Sequence, residues 1–149
     1  MSKNVKKNLK LIGKNQDDLK IISAYIQDSI VTVGDIIFLK KNRIFLMIVN
    51  RFMWEDVEKE TYRQIKRIRC AIKFEEVLKV KSKKINQKNK NTCLECLAIK
   101  CNEILNKNYE IIFFLSGNGI ITLISEAIEV VLHDLGKAWN AKYIPEHKI

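Results

Sequence analysis

The sequence predicts a strand-rich α+β fold: a single domain of about six or seven mostly antiparallel strands in a curved sheet, with one N-terminal helix and a short C-terminal helical turn. Three features point to it. The first is the run from Arg67 to Lys83. Ile68, Cys70, Ile72, Phe74, Leu78 and Val80 fall on even positions, and Arg67, Arg69, Lys73, Lys79, Lys81 and Lys83 on odd ones. A period of two is that of a strand with one buried face and one wet face. The second is a hairpin, in which Glu110 to Ser116 and Ile120 to Ile124 flank Gly117-Asn118-Gly119. Glycine and asparagine tolerate the positive φ that tight turns demand. The third is an apolar stripe at helical spacing, Leu19, Ile22, Tyr25 and Ile26, shortly after two capping candidates, Asn15 and Asp17. The sheet is expected to close toward a barrel or to form a two-layer sandwich. A pleckstrin-homology-like arrangement is one option, by element order alone.

Met1 to Asn8 is a Lys- and Asn-rich tail that should fray, and Asn8 to Lys14 reads as a short strand. The helix then starts at Asn15 or Asp17, with Asp17 and Asp18 in its positive first turn, and ends near Asp28 or Ser29. Ile30 to Lys40 is rich in β-branched residues, with Gly34-Asp35 as a bulge or tight bend. Lys41-Asn42 makes a turn, and Ile44 to Phe52, apolar on both faces, is a central strand. Trp54 to Lys66 is charged, with Glu55 and Lys59 at helical spacing, and reads as helix or loop. The alternating strand follows, with a potential break at Glu75-Glu76. Lys83 to Thr92 is a polar, flexible loop, and Cys93 to Glu103 is a further strand. The last hairpin strand is expected to continue through Leu132 until Asp134-Leu135-Gly136 stops it, and Lys137 to Lys142 to form a helical turn docking Trp139.

A chain of 149 residues, 47% hydrophobic and 30% charged, suffices for one ordinary core, so residues 1–149 form a single domain. The formal net charge of +10 favours anionic partners, although the Lys-, Ile- and Asn-rich composition also fits compositional drift. Met1 to Lys10 lacks the apolar segment of a signal peptide, and no run of ~18 apolar residues is present. A cytoplasmic protein with reduced thiols and no membrane contact is expected.

Motifs that carry chemistry are few. Cys93-x-x-Cys96 with Cys101 nearby has the spacing of half a zinc site. On a strand, however, the two cysteines point to opposite faces, and no second pair exists; neither metal nor cofactor is expected. His133 and His147 are isolated, and Ser116 in Ser-Gly-Asn-Gly lacks the strand–turn–helix setting of a nucleophile elbow. Asp17-Asp18 serves the helix cap, and Glu75-Glu76 splits across two strand faces. Arg51 and Trp54, in Asn50-Arg-Phe-x-Trp-Glu55, could form a cation–π pair or a ligand platform at a strand end; alternatively Arg51 neutralises a nearby acid. The remaining candidate is the cationic strand face of Arg67, Arg69, Lys73, Lys79 and Lys81. It would bind an acidic protein or nucleic acid, or else serve as a solvated face that blocks edge pairing. Its odd positions carry no aromatic residue for base stacking.

The segment Asp18-Leu-x-x-Ile-Ser-Ala-x-x-Gln-Asp28, with Val33-Gly-Asp35, Val49-Asn-Arg-Phe-x-Trp-Glu55, Leu97-Ala-Ile99 and Asp134-Leu-Gly-x-Ala-Trp139, resembles a bacterial, mainly alphaproteobacterial family catalogued as domain of unknown function 2948. The resemblance spans nearly the whole chain and implies one cytoplasmic domain. It places ordinary apolar residues where several cysteines stand here, and it supplies no activity or substrate. The leading expectation is therefore a small non-enzymatic binding or adaptor domain with an acidic partner. A nucleic-acid-associated protein is the alternative, and an enzyme with a site near Arg51, Trp54 and Asp134 a third.

Overall fold

The computed structural model describes residues 9–53 and 66–140. In chain order the elements are β1 (Lys10–Gly13), α1 (Gln16–Ile26), β2 (Ile30–Leu39), β3 (Ile44–Phe52), β4 (Lys66–Phe74), β5 (Val77–Lys83), β6 (Cys93–Glu103), β7 (Tyr109–Leu115), β8 (Ile120–Ser125) and β9 (Val130–Asn140). Nine strands thus stand among the described residues, where six or seven are expected. All pair antiparallel in one sheet of order β1-β9-β4-β3-β2-β6-β7-β8-β5. The edges β1 and β5 do not meet, so the sheet is not closed into a barrel.

Helix α1 begins where its chemistry dictates. The Asn15 side chain accepts the Asp18 amide at 2.8 Å, and Asp18 accepts the Lys14 amide at 2.9 Å. Leu19, Ile22 and Ile26 turn inward onto the sheet. Strand β2 bulges between Val31 and Ile36, around Gly34. Its first residues pair on both sides, Ile30 and Val31 with β3 and Ile30 to Thr32 with β6. From Cys96 onward β6 leaves β2 and pairs with β7 instead. The sheet bends at this exchange.

The bend answers a constraint of reach. Only Glu75 and Glu76 separate β4 from β5, yet five strands lie between them in the sheet. In a flat sheet, strands spaced by about 4.8 Å would put the two roughly 29 Å apart. Two intervening residues span about 11 Å at most. The sheet therefore curls until its halves face each other, and the core fills the space between. Phe113 of β7 stands 5.8 Å from Phe45 of β3 and 5.5 Å, edge-on, from Phe74 of β4, ring centre to ring centre.

The same turn is the break anticipated at Glu75-Glu76 in the alternating run from Arg67 to Lys83. Ile68, Cys70, Ile72 and Phe74 are buried as the alternation predicts. Glu76 then adopts φ 62° and Val77 becomes the buried residue, but a bulge between Val77 and Lys79 restores the even phase, so Val80 packs against the core. Leu78, expected inside, is 38% exposed, and Val80 is half-buried. The second half of the pattern belongs to another strand at the far edge of the sheet.

The C-terminal expectations also change. Strand β8 ends at Ser125, whose hydroxyl donates to the Ala127 carbonyl at 2.7 Å, and it does not run on to Leu132. Residues Val130 to Asn140 form a separate strand between β1 and β4. Asp134-Leu135-Gly136 does not stop it: Gly136, at φ +70°, absorbs a bulge opposite Arg67 to Arg69, and the strand continues. No helical turn forms over Lys137 to Asn140; Trp139 lies in strand register opposite Arg67 and is 43% exposed. The expected helix or loop from Trp54 lies outside the described residues as far as 65.

Phe74→Ala should lower the unfolding free energy by roughly 3–5 kcal/mol, because its ring is fully enclosed by Phe45 and Phe113. Leu78→Ala should cost under about 1 kcal/mol at its open position. Urea unfolding of the two variants would measure both, and equal losses would contradict the outward placement of Leu78.

Candidate functional site

Arg51 and Asp134 meet inside the molecule. Arg51 sits on β3 and follows Phe45, Met47 and Val49 on the inward face. Asp134 sits on β9 opposite Cys70 of β4, so the intervening strand brings Arg51 and Asp134 together across the sheet. Arg51 Nε donates to Asp134 Oδ1 at 2.8 Å, Nη2 to Oδ2 at 2.7 Å, and Nη1 to the Phe52 carbonyl at 3.0 Å. The Arg51 guanidinium also stands 5.5 Å from the Tyr25 ring centre of α1. Relative exposures of the two side chains are 0% and 2%. Both carboxylate oxygens are engaged by one planar fork, the strongest geometry available to such a pair. The arrangement matches Arg51 neutralising an acid rather than presenting an open charge.

Arg67 belongs to the same corner and is not a surface cation. It is 7% exposed, its guanidinium 3.7 Å from the Phe52 ring centre, and Nη1 donates to the Asn50 carbonyl at 2.9 Å. Its partner in strand register is Phe52, so the cation covers an aromatic face that would otherwise be open. A cation–π pair does form at this strand end, but between Arg67 and Phe52. Trp54 lies outside the described residues.

Cys70 completes the corner. Burial raises its thiol from 9.0 to about 12, with the Asp134 carboxylate adding to the rise and Arg51 opposing it. A thiol held protonated is a poor nucleophile and a poor metal ligand. Burial likewise raises Cys96 to about 12 and Cys101 to about 11. Cys93 is exposed while Cys96 is buried, as strand geometry requires of the Cys-x-x-Cys segment.

The cationic residues fall into separate groups. Arg69 and Lys73 face outward on β4, each near a carboxylate: Arg69 Nη2 is 3.9 Å from Asp35 and Lys73 Nζ 3.4 Å from Glu75. Lys79, Lys81 and Lys83 lie on edge strand β5, separated from β4 by five strands in the sheet. The expected single basic face is therefore divided by the turn at Glu75-Glu76. Strand register places the β5 lysines in rows across the outer face of β5, β8, β7 and β6. One row runs Lys81, Thr122, Ile112, Lys100; the next runs Lys83, Ile120, Phe114, Ala98. Lysines thus stand at both sides of a half-exposed apolar strip. Lys100 Nζ is 5.6 Å from the Phe114 ring centre, and a shallow depression of about 330 Å³ opens beside Ile112, Phe114 and Ile120. Among the described residues no ion pair engages Lys79, Lys81, Lys83 or Lys100. Sequence reasoning misses Lys100 and Phe114 because they come from other strands; only the cross-strand register reveals them.

Two expectations follow. Asp134→Ala should destabilise the fold by about 3–5 kcal/mol, since it strands a buried guanidinium, whereas the double variant Arg51→Met/Asp134→Leu should be distinctly more stable than that single one. Thermal or urea unfolding would compare the two. The buried thiols add an alkaline dependence. Each binds its proton more tightly in the folded chain than in the unfolded one, so its contribution is complete below pH 9 and is lost as pH rises toward about 12. Above pH 9 the wild type should therefore lose stability faster than Cys96→Val, by up to about 1.4 kcal/mol per pH unit. Parallel urea titrations at rising pH would show the difference.

No curated protein and no solved structure matches this chain. A family model described as a protein of unknown function, DUF2948, matches residues 9–147, nearly the full length. The motifs that carry the resemblance meet in the geometry above: Arg51 and Phe52 come from one, Asp134 and Trp139 from another, and Tyr25 from the helical one. The chain belongs to the DUF2948 family.

Proposed function

We propose that this protein is a non-enzymatic binding domain that takes an acidic protein segment on the outer face of β5, β8, β7 and β6. One observation carries this reading: Lys81 and Lys83 on one side and Lys100 on the other flank an apolar strip, and no carboxylate of the described residues pairs with any of them. A segment whose apolar side chains cover Ile112, Phe114 and Ile120 would bring flanking carboxylates to the lysines. Glu110, one row away, would set its register by repulsion. In the same reading the curled sheet is a two-layer, pleckstrin-homology-like platform, with one face for the core and the other for a partner. The four cysteines are free, which fits action in the cytoplasm.

Nucleic acid is the second reading, favoured by Phe114 beside Lys100. A stacking platform, however, uses two or three aromatic rings, and this face has one. The enzyme reading loses its support, because Arg51 and Asp134 saturate each other in the interior.

Titrating the labelled protein with a Glu-rich amphipathic peptide and with a uridine oligonucleotide separates the two readings. The peptide should perturb β5, β7 and β8 amides, and Lys81→Glu/Lys83→Glu/Lys100→Glu should weaken it at least about tenfold. Tighter binding of the oligonucleotide, with log K falling by about 0.7 per phosphate against log salt, would replace the acidic-segment reading by the nucleic-acid one. Saturable binding of neither would refute both.

A further inference from the structure

We infer that the seam between β2 and β5 is a binding site for a small amphipathic carboxylate, distinct from the outer face of β5. Among the described residues the second edge of β2 has no strand partner past Thr32; Val33 and Gly34 donate their amides to the carbonyls of Thr92 and Lys90, at 2.9 Å each. Strand β5 faces this half of β2 without pairing with it. Between them lies a cavity of about 180 Å³. Its floor is Phe45 and Ile121, its walls Ile36, Phe38 and Val80, all apolar. Its polar side chains are Ser82 of β5 and Gln87 and Lys90 of the 83–92 segment.

The alternation of β5 separates the two sites. Val80 lines the seam alone, Lys81 and Lys83 line the depression alone, and Ser82 borders both. The rim is also fixed in place. Gln87 Nε2 donates to Ser82 Oγ at 2.8 Å, and the Lys90 carbonyl is tied to Gly34. Gly34 permits that approach, because a Cβ there would stand 3.1 Å from the Lys90 carbonyl oxygen. A cavity of about 150 Å³ lined by aliphatic and aromatic side chains stays dry and admits a benzene ring. This one is slightly larger and open at one side, Lys90 is among its lining residues, and among the described residues no carboxylate lines it. An apolar group of ring or short-chain size would fill it, and a carboxylate on that group would meet Lys90 Nζ and the Gln87 amide.

Benzoate and benzyl alcohol, which differ chiefly in charge, test the assignment on protein labelled at its isoleucine and valine methyl groups. Benzoate should give saturable shifts confined to Ile36, Val80, Ile121 and their neighbours, with a Kd of about 1 mM, within reach of so small a ligand. Benzyl alcohol should bind roughly three- to fivefold more weakly, the worth of one partly exposed charge pair. Lys90→Gln should abolish that preference while leaving alcohol binding in place. Val80→Phe, which fills the cavity from a half-buried position, should eliminate both ligands while the amide spectrum still shows a folded chain. Three results would overturn the proposal: no saturable methyl shift with either probe, equal affinity for the two in the wild type, or unchanged binding by folded Val80→Phe. Benzoate shifts centred instead on Ile112, Ile120 and Ile124 would assign the anion to the outer face and refute the seam.

Discussion

The two-residue connection between β4 and β5 is the constraint from which the shape of this molecule follows. Because the chain must step from the interior of the sheet to its far edge within so short a link, the halves have no choice but to face each other. Phe45, Phe74 and Phe113 then become neighbours, although they come from strands that do not adjoin throughout. Strand β2 supplies the bend, since it pairs with β6 over only Ile30 to Thr32. The cost of this economy of pairing is the unclosed stretch beyond Thr32, which the 83–92 segment covers with two backbone hydrogen bonds in place of a ladder.

Within that frame the Arg51–Asp134 pair fixes alignment. Strand β4 lies between the two partners, so their bond locks three strands at once. A one-residue slip of β9 would carry Asp134 to the outer face and take the carboxylate away from a buried guanidinium. Apolar side chains would tolerate such a slip far better, because their attraction is not directional. The bulge at Gly136 belongs to the same arrangement: beyond it, β9 resumes pairing with Arg67 opposite Trp139. Arg67 in turn shields Phe52, so one corner holds two buried guanidinium groups, each with its own aromatic neighbour.

Much of this was legible in the residues, and the failures share a cause. Strands β1, β2, β3, β6 and the β7–β8 hairpin, together with α1 and its Asn15 cap, follow from local pattern and turn chemistry. The alternation of β4 is equally plain. Leu78 misleads because the pattern from Arg67 to Lys83 is formally almost continuous; nothing local says that Glu76 takes a left-handed backbone and that a bulge follows Val77. Asp134-Leu-Gly looks like a stop because a buried aspartate is unfavourable unless something distant neutralises it, and Arg51 lies eighty-three positions away. Arg67 reads as wet for the same reason: its cover is Phe52, a cross-strand neighbour. The basic outer face was half visible. Lys79 and Lys81 announce themselves by spacing, whereas Lys100 and Phe114 join them only through register.

The way the 83–92 segment is fastened bears on how such a protein can diversify. Lys90 is held through its main-chain carbonyl by the Gly34 amide, and Thr92 through its carbonyl by Val33. Neither bond reads the identity of the side chain that projects from the fastened residue. A mutation that replaces Lys90 by a neutral or acidic residue would therefore leave the scaffold intact, whereas a change at Gly34 would press on the main chain it holds. Descendants of this fold can drift in charge at the seam at almost no thermodynamic penalty, while the position of that charge in space is inherited unchanged.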